Sequence, residues 1–543
     1  MKVRFPFILK AYFSCILLSL GTSVSKAEDK PNVLFIICDD LNYVVQGEPG
    51  RITLPTPGID KLKRMGIQFT NAHTNVPICA PSRASLLSGL YPQTTQFYWF
   101  DNWRDNPILK TSVSFLKHFK NNGYTVYGTG KINHNGQEDY ADYTQFGPKD
   151  NFGPFPSDGN PNRKHMLEHP AMSYLFDKLK LPYRWEQTFG PLSLIPEWKP
   201  DSSKGIPGYT GWTLYGKPFK YENDENRDLM PDELSAAWAS DILQKKSDKP
   251  FFLALGFNRP HTPLYAPQKY FDQFPLDKIE LPKYLKGDTA DAAGTLANPV
   301  LYGYQRFNML QLAGGDLLWK KWVQAYLANV AFLDDQVSKV LDALAKSPNA
   351  KNTIIILTSD HGFHMGEKAY LYKQSGWEES TRIPFIVSVP GLTKPGICTK
   401  PISLIDVYPT LADLCGLPAN PNMQGNGYLL DGTSLRPLLK DPKKGTWNGP
   451  AVALTVISGK DHITAAKLPG IQPPHFSLRS ENWRYILTDK GEEELYDHIK
   501  DPFEWKNLAN DKAYATQKAN LKNQLLKVKN TQATKKQMVQ KAN

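Results

Sequence analysis

Cysteine is scarce in this chain. Five cysteines among 543 residues exclude a disulfide-dense scaffold, and none of them shows the spacing of a zinc site. Long apolar runs are missing as well. Beyond the N-terminus no segment reaches the roughly 20 residues that a membrane-spanning helix needs. No internal repeat is visible. Acid is absent from the last stretch, where eight lysines from Lys512 onward stand without one Asp or Glu. Those lysines carry eight of the formal +11, and Lys2, Arg4, Lys10 and Lys26 within residues 1–27 carry four more. The body between them is close to neutral. A nucleic-acid binder places its positive charge on the folded surface, so nucleic acid is not an expected partner. The basic tail reads as a solvated helix or a frayed end.

What is present fits a folded chain, with 41% hydrophobic and 12% aromatic residues. The length exceeds one small core and predicts a large domain with a smaller one. The start, "MKVRFPFILK" followed by "AYFSCILLSLGTSV" and "SKA", has the basic, apolar and small-residue order of an export signal over residues 1–27. That reading implies a secreted or periplasmic protein with no stable membrane anchor once the signal is removed. The mature chain keeps Cys38, Cys79, Cys398 and Cys415. A Cys398–Cys415 disulfide stands open beside a buried helix position for Cys415.

Short apolar runs end in polar residues at 32–40, 124–131, 251–257, 353–362 and 384–391, with helix-like stretches at 56–65, 114–122 and 319–345 between them. Strands alternating with helices predict an α/β domain with a mostly parallel sheet, whose ligand sits outside the carboxyl ends of the strands. Residues 135–235 read as long ordered loops over those ends. "KDPKKGTWNGP" near residue 440 marks a boundary, so residues 28–440 are expected to form the larger domain. Residues 441–543 form a smaller α+β part with a small antiparallel sheet and the basic tail.

Three strand ends carry chemistry, at Asp39-Asp40, Lys131 and Asp360-His361. Asp39 and Asp40 sit side by side after "NVLFIIC", where their mutual repulsion calls for a positive partner. Asp360 and His361 follow "TIIILTS". Three carboxylates with an imidazole suit a hard divalent cation, His361 being a weak ligand or a hydrogen-bonding neighbour. The plain alternative for the acids is a helix cap or loop pair. Cys79 precedes Pro81-Ser82-Arg83 and a helix-like run. A helix starting near Pro81 would aim free N–H groups and its positive dipole end at Cys79, binding anions and lowering the thiol's pKa. Arg83 adds a fork suited to a tetrahedral oxyanion. The plain alternative is a buried structural cysteine.

Cys79-Ala80-Pro81-Ser82-Arg83 with "ASLLSGLYP" resembles the signature of the type I sulfatases. The resemblance continues in order through "NVLFIICDDLN", "GYTVYGTGKINHNG", "GFNRPHTPLYAP", "TSDHGFHMGEKAYLYKQSGWEESTRIPFIVSVPG", "PISLIDVYPTLADLCGLP" and "ELYDHIKDP". The Asp360-His361-Gly362 tripeptide and "TTQFYWFDNWR" are most similar to the iduronate-2-sulfatase branch. Lys368 stands where a histidine is frequent.

The resemblance implies an alkaline-phosphatase-like α/β fold and hydrolysis of a sulfated saccharide. It further implies that a formylglycine-generating enzyme converts Cys79 to formylglycine (3-oxoalanine), whose hydrate attacks sulfur. Ca2+ would be held by Asp39, Asp40, Asp360 and His361 together with residue 79. Arg83, Lys131, Lys373 and His261 would surround the sulfate, with His261 or Lys373 donating the leaving-group proton and His134 assisting sulfate release. Plainer roles remain beside these: a solvated strand end for Lys131, loop order for His134 and a rigid loop for His261. Tyr98, Trp99 and Arg104 are candidates for a sugar platform, and His364 either lines the pocket or supports Asp360. Two rivals stay open: a phosphoester hydrolase using the same hydrate, and a non-catalytic binder of sulfated glycans whose Cys79 is never converted.

Overall fold

Strand Asn32–Asp39 lies at the centre of the molecule, buried at every residue and flanked by parallel strands Phe251–Pro260 and Thr353–Ser359. Its unbroken apolar run follows from that position, because layers cover both faces of the sheet. The computed structural model describes residues 30–48, 50–157, 188–195, 211–423, 427–463 and 470–542, with Met1, Ser203, Ala465, Lys467 and Leu468 as isolated positions and side chains to Asn530. The export-signal reading, part of the 135–235 stretch and the side chains of the last lysines lie outside the described residues.

The main sheet has eight strands, in the order 396–398, 67–69, 385–388, 353–359, 32–39, 251–260, 125–130 and 145–149. Only strand Phe385–Ser388 runs against its neighbours on both sides. The other neighbouring pairs are parallel, so the expectation of a mostly parallel α/β sheet holds. Alternate residues feed two cores. Leu34, Ile36, Leu253 and Leu255 face the helix Tyr302–Ala345, while Val33, Phe35, Phe252 and Ala254 face a layer that includes Phe115, Phe119 and Tyr408. The long helix begins well before the expected Trp319. Gly315, at φ 58° and ψ −148°, interrupts its helical geometry and hid the first half from periodicity.

The carboxyl ends of the central strands meet at one edge, where ligands of open α/β sheets bind. Two glycines permit a close approach there. A Cβ on Gly130 (φ 70°) would lie 1.9 Å from Gly256 O, and one on Gly256 would lie 2.0 Å from Lys131 O. Any larger side chain would push the Lys131 segment away from the centre.

Strands Ala453–Ile457, His475–Arg479, Trp483–Leu487 and Glu493–Asp497 form an antiparallel sheet. Helix Ala515–Ala542 follows, with Leu521 and Leu525 buried in the same apolar cluster. This sheet is hydrogen-bonded to the segment that leads to Cys79: Val456 N–H donates to Asn75 O at 2.8 Å, and Thr455 Oγ1 to Thr74 O at 2.6 Å. The division near residue 440 remains a proposed boundary, and main-chain bonds cross it. Cys398 and Cys415 are both free and buried. No described helix is long and apolar enough to cross a membrane.

Buried charge fastens helix Glu378–Thr381 to the small sheet. Glu378 accepts from Arg479 Nε at 3.2 Å and from the Arg484 guanidinium, while Glu504 pairs with Arg484 and, at 2.9 Å, with His498. Two guanidiniums already neutralise these acids, so a metal ion is not needed there. Burial by itself would raise the Glu504 carboxyl, yet Arg484 and then His498 hold it at about 2. A carboxyl depressed on folding contributes stability above its unfolded-state value, and that contribution of about 3 kcal/mol is lost as pH falls from the ordinary value toward 2. Denaturant titrations should show that acid-side loss in the wild-type protein. Glu504→Ala should cost about 3–5 kcal/mol at neutral pH, because Arg484 Nε and His498 lose their buried acceptor.

Candidate active site

Strand 32–39 ends abruptly. Asp40 adopts φ 63°, a region that non-glycine residues enter only when held. Its N–H donates to Asp360 Oδ1 at 3.3 Å, and its carbonyl accepts from Tyr326 Oη at 2.7 Å. Asn42 completes the turn, accepting from Val44 N–H and donating to Phe363 O, both at 2.7 Å. Asp39 and Asp40 thereby present both carboxylates at the strand end, 0% and 1% exposed.

Helix Cys79–Ser88 meets them from the side. Ile78 is extended at φ −157° and caps it, so the helix starts at Cys79 itself and not near Pro81. Ser82 Oγ and Thr74 Oγ1 each donate to Asp360 O at 2.6 Å, which ties the Cys79 helix to the end of strand 353–359. Sequence reasoning gave Ser82 no role. Arg83 is fully buried, with Nε donating to Asp360 Oδ2 at 2.8 Å and Nη1 to the carbonyls of Lys131 and Ile132.

Cys79 Sγ lies 2.9 Å from Lys373 Nζ and 3.2 Å from His361 Nε2. Lys373 also pairs with Asp40 Oδ1 at 2.7 Å, and Lys131 pairs with Asp39. These ammoniums are the positive partners that two adjacent carboxylates require. Burial pushes the Cys79 thiol well up, and the Asp39 charge adds to that rise. The expected lowering by the helix end is therefore not found. Burial also raises Asp40 to about 6 against the pull of Lys373, and Asp360 to about 7 against Arg83. Asp39 goes the other way. Burial would raise it, but Lys131 above all, with Arg83, holds it well below the carboxylate range.

The donor set fits a divalent cation. Ligand atoms of Asp39, Asp40, Cys79 and His361 all lie within 4.8 Å of one another. His361 Nε2 is 3.4 Å from Asp40 Oδ1 and 3.6 Å from Asp360 Oδ1. Oxygen ligands about 2.4 Å from one cation would be separated by similar distances. Asp39 Oδ1 and Asp40 Oδ2 are buried with no hydrogen-bond partner, an expensive condition unless a cation completes them. His361 Nδ1 is 3.0 Å from Gly362 O, which leaves Nε2 as the lone-pair nitrogen facing the acids, as in metal-binding histidines. Asp360 Oδ1 already accepts from two main-chain N–H groups, and Oδ2 from Arg83, so its carboxylate is shared between structure and site.

His261 Nε2 stands 3.9 Å from Asp40 Oδ2, its Nδ1 2.5 Å from Thr262 O. The Phe152 ring lies between it and Lys131, 4.6 Å from the His261 ring and 4.6 Å from the Lys131 ammonium. His134 is half-buried against Phe100 at 4.9 Å, and burial followed by the Lys131 charge keeps it neutral. Phe152, Phe100 and His462 escaped the sequence reading. Phe100 and Phe152 lay in segments already singled out, and His462 did not.

The outer candidates separate. Trp99 stays beside the site, 5.1 Å from Phe100 and 5.3 Å from His462. Tyr98 does not: it is packed with Tyr91, Ile405 and Leu454 against the antiparallel sheet, which makes it core and corrects the platform expectation. Arg104 is exposed and braces a loop, donating to Glu138 O at 2.6 Å. His364 is buried, bonded to Ser375 Oγ at 2.7 Å and packed on Tyr370 and Trp377. It neither lines the cluster nor touches Asp360. Lys368 points to Asp288 at 3.3 Å and to Glu504 O, away from the site.

Comparison with known proteins bears on the family and the fold. The model of the sulfatase family matches residues 31–417, and a model described as N-sulphoglucosamine sulphohydrolase, C-terminal, matches residues 366–531. A sulfatase of Formosa agariphila is 34% identical over 519 residues, covering 94% of this chain and 89% of its own. Iduronate 2-sulfatase of Mus musculus is 28% identical over 582 residues, covering 94% and 96%. A phosphonate monoester hydrolase from Silicibacter pomeroyi has the same fold, with a TM-score of 0.67, 20% identity and coverage of 93% and 96%.

The cluster yields a direct test. Calcium at 100 times its dissociation constant should stabilise the wild-type protein by about 2.7 kcal/mol, seen as a rise in thermal midpoint that a chelator reverses. Asp40→Asn should abolish the rise and lower the starting midpoint, since Lys373 loses its buried partner.

Proposed function

The chain belongs to the sulfatase family and is a sulfuric ester hydrolase, and from that premise we propose that it removes sulfate from a saccharide, most specifically a 2-O-sulfated uronate of the iduronate type. One observation carries the reading: Cys79 sits between Lys373 and His361 beside two buried carboxylate oxygens that lack partners. The names of the similar proteins support the saccharide, and the iduronate branch is the finer inference.

Formylglycine, formed from Cys79 by a formylglycine-generating enzyme during maturation, would supply a hydrated aldehyde as nucleophile. Calcium, held by Asp39, Asp40, Asp360, His361 and residue 79, would supply Lewis acidity and favour deprotonation there. This chain's own side chains do the rest. Arg83 Nη2 is buried without a hydrogen-bond partner and is a donor for a sulfate oxygen. Lys131 and Lys373 offset charge on the sulfate in a site closed to water, where fixed donors are most effective.

Geometry favours one of the two acid candidates. The His261 Nδ1 proton is engaged by Thr262 O, which leaves Nε2 as a lone pair in the neutral ring. Burial would lower the Lys373 pKa, but Asp40 raises it well above the usual range, so the ammonium keeps a proton to give. Lys373 is therefore the leaving-group acid and His261 orients the ester. His134, held neutral, is the base beside the nucleophile.

Trp99, Phe100, Tyr372 and His462 give an aromatic wall suited to a sugar face. With Lys131, Lys373 and Arg83 below, that setting favours an anionic sugar over a cationic alcohol.

Peptide mass spectrometry across Ile78–Arg83 should find the aldehyde in protein from its native host. A screen of defined sulfated mono- and disaccharides should then find turnover on 2-O-sulfated uronates. Cys79→Ala should abolish it, and Lys131→Ala or Lys373→Ala should lower kcat by about 10²–10³. An intact thiol, or faster turnover of a phosphonate ester of the same alcohol, would overturn the reading.

A further inference from the structure

Lys373 has no regular secondary structure to hold it. It lies in an irregular stretch, and the next residue, Gln374, adopts φ 71°. Yet its ammonium must stay within hydrogen-bond reach of both Asp40 and Cys79. Both of its neighbours in sequence are tied to one short segment, 460–462, that belongs to the C-terminal part of the chain.

Tyr372 Oη is hydrogen-bonded to His462 Nε2 at 2.5 Å, and Gln374 Nε2 donates to Lys460 O. The segment is anchored in turn. Asp461, 4% exposed, accepts from Tyr302 N–H at 3.1 Å, satisfying a free donor at the start of helix Tyr302–Ala345. Asp461 Oδ1 also accepts from Ile463 N–H at 2.9 Å. The His462 ring packs against Tyr302 at 5.1 Å and Phe100 at 5.4 Å, so its orientation is fixed on both sides.

We propose that segment 460–462 is a clamp for Lys373, with His462 as the positioning residue. It acts through Tyr372 and Gln374 to keep the ammonium on the bond that breaks. The C-terminal part then completes the active site. This inference rests on the role given to Lys373 above. It also explains why a non-glycine residue is kept at the left-handed position 374: the Gln374 side chain supplies the second tie.

The test uses the full chain with the aldehyde confirmed at position 79. His462→Ala and Tyr372→Phe are assayed on 4-nitrophenyl sulfate and on a simple alkyl sulfate, whose leaving group needs protonation far more. A displaced acid costs about 10–100-fold in kcat, and the cost grows with the basicity of the leaving group. The expected pattern is such a loss on the alkyl sulfate, a smaller loss on the aryl sulfate, and substantial recovery in His462→Gln, whose amide can still bond Tyr372. Tyr372→Phe removes only a hydroxyl and keeps the ring, so it reports even if His462→Ala folds poorly. Unchanged kcat on the alkyl sulfate in both variants, or equal losses on both substrates with no recovery in His462→Gln, would overturn the clamp. Those results leave the sulfatase reading intact, whereas a wild-type chain that carries the aldehyde but turns over neither sulfate would sink that reading instead.

Discussion

Two carboxylates at the end of a fully buried strand set the terms for everything around them. Asp39 and Asp40 are shielded from water and repel each other, so the fold must bring positive charge to within bonding distance. It does so from three separate elements: Lys131 after strand 125–130, Arg83 on the Cys79 helix, and Lys373 on an irregular stretch. Cys79 shares Lys373 with Asp40, and its Sγ lies within 4.8 Å of a carboxylate oxygen of each acid. Even so, two carboxylate oxygens are left without hydrogen-bond partners. The site is thus built around a charge deficit that a cation would fill.

The glycines and hydroxyls near the site serve that convergence. Gly130 and Gly256 let two strand ends touch, and Ser82 and Thr74 bind the carbonyl of Asp360 so that the helix bearing Cys79 cannot drift from it. Within the Cys-x-Pro-Ser-Arg motif the serine therefore has a packing role and the arginine an electrostatic one.

The sequence made the strand ends legible because buried parallel strands leave unbroken apolar runs that stop at polar residues. Asp39-Asp40, Lys131 and Asp360-His361 were visible for that reason, and the structure brings them together. What stayed hidden depended on tertiary packing. Tyr98 and Trp99 are adjacent, chemically alike and both buried, yet one packs against the small sheet and the other against Ile78, next to Cys79; no local pattern separates them. His364 follows Asp360 closely but turns into a cluster with Ser375 and Trp377. The thiol's raised pKa also defied the local rule, because burial and a neighbouring carboxylate outweigh the end of a short helix. His462 was the least accessible of all. It lies in a stretch that looked like a connection between strands of the small sheet, and only the folded chain sets it against Phe100 and Tyr372.

The central claim is that residue 79 and the acids at 39, 40 and 360 form one cation-centred site that acts on sulfate. A crystal structure of fully matured protein soaked with calcium and an inert sulfate analogue tests it most directly. One cation should appear about 2.3–2.6 Å from those carboxylates and from an oxygen on residue 79. Lys131 and Lys373 should then have moved from the carboxylates to the analogue. A matured residue 79 turned away from the acids, or carboxylates still paired only with lysines at saturating calcium, would contradict the claim.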